Sequence, residues 1–367
     1  MLDKNRVTNL SSNLISIDVA RGFASLAVFI YHYGVGSIMV KATGLSAFNA
    51  LSVIGATYAV PLFFAVSGFC IHLSQLKQEA RQENISLNYK NYVVKRFWRI
   101  YPTYLIVLLF SCSVQAMEGQ IVDARDFIIH IFLLQGFLIV SFNSINLVLW
   151  TISIELMFYL LYPVWYKARN TLGLDFSVYL GLTITVVSWI VCAIWLFPYS
   201  LPVKWFVFNL WGAWLVGAWL AEKILKDRSM FSSPLWWISG VSAIILTVVC
   251  QQIGLFTGRG EVAWASIVTI LWIWPLSALI LGEKWLLSFS KQWWFNVIKA
   301  FAICGQFSYS LYLLHMPLMY FRNILWLGIT STMMRSAMWF ISFLAILVIS
   351  WISFQLFEKP FMQYRLK

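Results

Sequence analysis

Eleven apolar stretches, each bounded by polar or charged residues, run through this chain at about 17–40, 52–75, 100–117, 127–140, 149–166, 176–197, 204–221, 236–254, 262–282, 303–326 and 334–357. A helix needs about 20 apolar residues to cross a bilayer, so the pattern points to an all-α integral membrane protein. Only 11% of the residues are charged, against roughly 25% in a soluble domain. That leaves too little polar surface to coat a globule in water. The net charge of +12 would hint at nucleic acid in a soluble chain. Here the basic residues sit between apolar stretches, where they orient a membrane protein, and no nucleic-acid partner is expected.

Charge also sets the number of crossings. Segment 127–140 has 14 residues, about 21 Å as a helix against a hydrocarbon core of about 30 Å. Suppose it fails to cross and the N-terminus is cytoplasmic. Segments 1–16, 76–99, 167–175, 222–234, 283–300 and 358–367 then lie inside with 19 Lys/Arg, and only Lys41, Arg125, Lys204, Arg259, Arg322 and Arg335 lie towards the outside. A crossing would send Lys167, Arg169 and every later cluster outside, against the positive-inside bias. The expectation is one polytopic bundle of ten transmembrane helices over 1–367, with both termini cytoplasmic. Segment 127–140 is then re-entrant or interfacial, 1–16 is a short N-terminal segment, 358–367 is a tail, and no soluble domain is fused.

Other signals are quiet. The first apolar stretch carries Asp18 and Arg21 and lacks a cleavage pattern, so no signal peptide is expected. Cys70, Cys112, Cys192, Cys250 and Cys304 lie in apolar segments without paired spacing. They read as packing residues, with no disulfide or metal framework. The Asn9 and Asn84 glycosylation patterns fall on the expected cytoplasmic side and are disregarded.

Ionisable groups inside spans cost several kcal/mol each and are functional candidates by default. Arg21 and His32 are eleven residues apart in the first stretch, which puts both on one helical face about 16 Å apart. Glu155, in W-T-I-S-I-E-L-M-F-Y-L-L-Y-P (150–163), falls near the expected depth of His32. The two could form a His–carboxylate pair, or Glu155 could be structural, bonded to Ser153, Trp150 or Tyr159. Arg96 and Arg99, in K-R-F-W-R-I-Y-P (95–102), share a face at a cytoplasmic helix end. Such a pair suits bidentate phosphate binding or lipid headgroups. His315 lies mid-stretch with Ser308, Tyr309 and Tyr312 one or two turns earlier, a polar stripe that either lines a cavity or bonds between helices. His72 and His130 lie near interfaces, where a structural role is the simpler reading.

The ordered set resembles the integral-membrane acyltransferase-3 family, polytopic O-acyltransferases of cell-surface glycans. The resemblance begins with I-D-V-A-R-G-F-A-S-L-A-V-F-I-Y-H (17–32) and runs through V-P-L-F-F-A-V-S-G-F (60–69), the two blocks around Arg96 and Glu155, F-S-Y-S-L-Y-L-L-H-M-P (307–317) and F-E-K-P-F (357–361). It implies acyl-CoA, most simply acetyl-CoA, as co-substrate, with no tightly bound cofactor. The acceptor it implies is a hydroxyl of a polysaccharide of O-antigen or exopolysaccharide type, or of an undecaprenyl-linked sugar. By the same resemblance His32 and Glu155 are catalytic, Arg21, Arg96 and Arg99 bind the acyl-CoA, and the protein sits in a bacterial inner membrane. The family's frequent second acidic residue is replaced here by Leu156, leaving one carboxylate at that spot. In the expected mechanism His32 is the general base, Glu155 orients it, and Ser153, Tyr309 or Tyr312 donates to the oxyanion. Direct transfer and an acyl-histidine or acyl-serine intermediate both stay open. A transporter or flippase for a lipid-linked sugar is the alternative, though its repeated broken helices are not visible in the sequence.

Overall fold

The computed structural model of the protein describes residues 14–81, 87–283, 285 and 293–362. Residues 1–13 of the expected segment 1–16, 363–367 of 358–367, parts of 76–99 and 283–300, and both glycosylation patterns' asparagines lie outside them. Among the described residues every regular element is helical. The longer helices are α1 (Ile15–His32), α2 (Val35–Thr43), α3 (Ala59–Arg81), α4 (Tyr89–Met117), α5 (Ala124–Ile131), α6 (Trp150–Leu172) and α7 (Leu174–Trp195). They continue with α8 (Val207–Lys226), α9 (Pro234–Gln252), α10 (Glu261–Leu271), α11 (Ile273–Leu281), α12 (Trp293–Gln306), α13 (Ser308–Leu325) and α14 (Thr332–Ser353).

Among the described residues six helical stretches are long and apolar enough to cross a membrane, or seven if the pair broken at Phe307 counts as one. The stretches at 149–166, 204–221 and 262–282 also fold into helix but fall below that mark. The case of α8 explains why: sixteen of its twenty residues are buried. A helix enclosed by protein on all sides need not be apolar along its length, and α8 carries Asn209, Glu222 and several Trp. On α9, by contrast, Ile238, Val241, Ile245 and Leu246 are exposed. Apolar side chains turned outward in this way suit hydrocarbon. Segment 127–140 contributes the end of the eight-residue α5 and then turns. At about 12 Å, α5 is too short to cross.

The chain divides into two compact bodies, each built from three separated stretches. The first takes Met1–Ala24, Thr57–Asn88 and Met157–Gly305, and the second Ser25–Ala56, Tyr89–Leu156 and Gln306–Lys367. Within the first body α8 packs on α3 and α7. A Cβ on Gly68 would strike the Trp214 carbonyl and one on Gly217 the Ala65 carbonyl, so glycine at both positions lets the α3 and α8 backbones approach. Within the second body α13 packs on α4 and α14. The start of α13 is fixed from afar: Glu358, 5% exposed, accepts from the Ser310 backbone N–H at 3.2 Å and its hydroxyl at 2.6 Å. A carboxylate in a helix's first turn satisfies orphan donors and complements the helix dipole.

Candidate active site

His32 ends α1, half-buried, and its Nδ1 lies 2.9 Å from Nε2 of His315 on α13. The two rings lie edge to edge, their centroids 5.1 Å apart and their planes 20° from parallel. His315 is fully buried, and its own Nδ1 lies 3.1 Å from the Leu311 carbonyl one turn earlier. Phe29 and Tyr312 meet His315 at ring-centroid distances of 6.1 and 6.0 Å. Nε2 of His32 makes no hydrogen bond among the described residues. The partner of the His32 ring is therefore a second imidazole, where the sequence had suggested the Glu155 carboxylate.

Glu155 stands further along the same body. It is half-buried near the start of α6, within electrostatic reach of Tyr312 and of Tyr92 on α4. The Arg96 guanidinium lies 5.5 Å from the Tyr92 ring centroid. Arg99, one turn beyond Arg96, is half-buried. His32, His315, Tyr312, Glu155, Tyr92 and Arg96 all belong to the second body.

The remaining candidates have contacts of their own. Ser153 is fully buried and accepts from the Gly136 backbone N–H at 3.1 Å. Tyr309 commits its hydroxyl proton to the Ile100 carbonyl at 3.0 Å, and Ser308 is buried at the start of α13. Arg21 belongs to the first body, where it donates to the Cys70 sulfur at 3.3 Å. His130 is buried with Nδ1 2.9 Å from the Asp126 carbonyl, and burial pushes its imidazole pKa down. The connector from α5 to α6 is tied into the second body by Asn146, which donates to the Leu313 carbonyl at 3.1 Å. Its Leu133 and Ile145 adopt left-handed backbone, a strained choice for a branched residue such as Ile145.

A second polar cluster, not anticipated from the sequence, fills the first body. Glu222 on α8 is fully buried and accepts from His72 Nε2 at 2.8 Å and from Arg169 at 2.8 and 2.9 Å. It also pairs with Lys226. His72 Nδ1 meets the Tyr162 hydroxyl at 3.1 Å, and Arg169 reaches Glu79 at 3.5 Å. The Glu222 and Glu79 carboxylates face the Arg169 and Lys226 cations here, so the buried charge is compensated. Arg169 had been read as an orientation signal, and Glu222 lay at the end of an apolar stretch; neither position hints at a partner more than 50 residues away.

No group of three or more His, Cys, Asp or Glu side chains among the described residues is arranged to hold a metal ion. Residues 14–354 match the family profile described as an acyltransferase domain, of the acyltransferase-3 type. The acyltransferase MdmB of Streptomyces mycarofaciens is 29% identical over 165 residues. That match covers 42% of this chain and 39% of MdmB, well short of the relative's full length. No solved structure matches the chain.

Proposed function

The chain belongs to the acyltransferase-3 family, and from that premise we propose that it is a membrane acyltransferase with His32 as general base. One observation carries the reading: among the described residues His32 has one ring nitrogen held by His315 and the other without a hydrogen bond, on a half-buried ring. The donor in this proposal is acyl-CoA, most simply acetyl-CoA, and the acceptor a hydroxyl of a cell-surface or lipid-linked glycan. The acceptor proton passes to His32 Nε2 as its oxygen attacks the thioester carbonyl. Collapse of the tetrahedral intermediate breaks the C–S bond, and the leaving thiolate takes the proton from His32.

Arg96 and Arg99 are assigned to the donor's phosphates, for which paired guanidinium groups are chemically suited. Arg21 carries its donor-binding role by resemblance alone. Glu155 acts electrostatically on Tyr92, whose ring lies 5.5 Å from the Arg96 guanidinium, which favours a role in holding the donor-binding arginines over orienting the His32 ring. The topology proposed with this reading has ten spans and both termini cytoplasmic, in a bacterial inner membrane. Its support is the split of 19 Lys/Arg inside against six outside.

The test is incubation of the purified protein with radiolabelled acetyl-CoA and a glycan acceptor. Free coenzyme A and acylated glycan are expected in equal amounts. Sugar flux in proteoliposomes without thioester cleavage would overturn the enzyme reading in favour of a lipid-linked sugar transporter. Cysteines placed in 167–175 should resist an impermeant thiol reagent in spheroplasts; ready labelling would overturn the topology.

A further inference from the structure

We propose that His315 is a positioning residue that fixes the tautomer of His32, through a relay running from the Leu311 carbonyl across both imidazoles. The proposal rests on the reading of His32 as general base. Its first step is the 3.1 Å contact between His315 Nδ1 and the Leu311 carbonyl. A carbonyl oxygen only accepts, so Nδ1 of His315 carries the hydrogen. A neutral His315 then presents a lone pair at Nε2, 2.9 Å from Nδ1 of His32. Two facing nitrogens share one proton, and here His32 must supply it. A neutral His32 with hydrogen on Nδ1 has its lone pair on Nε2, the nitrogen left without a hydrogen bond.

The same arrangement serves the step in which charge appears. When His32 Nε2 takes the acceptor proton the ring becomes an imidazolium, and its Nδ1–H points at the His315 lone pair. That contact becomes charge-assisted and so strengthens in the transition state, where a gain in binding raises turnover. The proton on Nδ1 stays where it is: His315 orients and polarises but gains no proton. Packing keeps the relay aligned, because His315 is fully buried with Phe29 and Tyr312 against its ring. In a medium with few competing donors, an imidazole can do the orienting work often given to a carboxylate without placing a full negative charge in the membrane.

The experiment compares His32→Gln, His315→Gln and His315→Phe in purified protein, reading kcat and KM for acyl-CoA with thermal unfolding alongside. A glutamine amide oxygen at 315 can replace the Nε2 acceptor, whereas phenylalanine keeps a ring and removes it. His315→Phe should lower kcat by about 10²-fold or more with KM unchanged, and His315→Gln should recover part of that rate. His32→Gln should be inactive. Near-normal turnover in His32→Gln would overturn the general-base reading itself. An inactive His32→Gln, combined with equal kcat for the two His315 variants, would overturn the relay alone. Folding-independent evidence comes from 15N-histidine NMR of the unmodified protein, whose four histidines allow assignment by substitution. His32 should show the Nδ1–H tautomer, and the Nε2–H tautomer would overturn the proposal.

Discussion

His72 and His32 are both imidazoles on helices of membrane-crossing length, yet their surroundings have opposite logic. His72 has both nitrogens engaged, by Tyr162 and by a carboxylate that Arg169 and Lys226 also grip. His32 has one nitrogen held and the other unbonded, at the half-buried end of a helix. A saturated histidine ties helices together, whereas one with a spare nitrogen can move a proton. The free valence, and not burial or charge, separates the two.

The contrast breaks first if His32 turns out to be structural. His32→Gln should lose about 10²–10⁴-fold in transfer rate with unfolding temperature unchanged, as measured by transfer assay and thermal melts in detergent. Glu222→Ala should do the reverse, costing about 3–5 kcal/mol of stability because Arg169 and Lys226 are left without their shared anion. Chemical unfolding measures that loss, and any surviving folded protein should keep its turnover number. Arg99→Lys keeps the charge but loses the planar fork, so KM for acyl-CoA should rise about tenfold with kcat retained. An unchanged KM would make the arginine a headgroup anchor. Tyr162→Phe is the mildest, removing one hydroxyl from His72 for about 1 kcal/mol. A melting shift with normal kcat is expected, and a fall in kcat would give the first body a share in the chemistry.

Much of the helical plan was legible because apolar length is a direct physical requirement for crossing. The shortness of 127–140 was equally plain, and the segment holds only the end of the eight-residue α5 and a single 3-10 turn at Gln135–Phe137. Hydropathy does not reveal that α8 is enclosed by protein, with Asn209 and Glu222 buried inside the first body. His32 and Glu155 fall at similar depths from residue counting, but the face each presents depends on how distant helices pack. His32 and His315 are 283 residues apart, and nothing local marks them as neighbours. Glu222 and Arg169 escaped for a related reason: charges at the ends of apolar stretches are what topology demands, and a buried pair hides among them.

The Glu358 carboxylate, which holds the first turn of α13, lies four residues past position 354, where the family match stops. A protein trimmed to the matched span would keep His32 and His315 and every arginine discussed above. It would lose the anchor that sets the rotation and height of α13, and with it the register that brings one imidazole against the other. Boundaries chosen for expression, or for grafting the site onto another bundle, therefore need to follow that distant carboxylate and not the end of recognisable similarity.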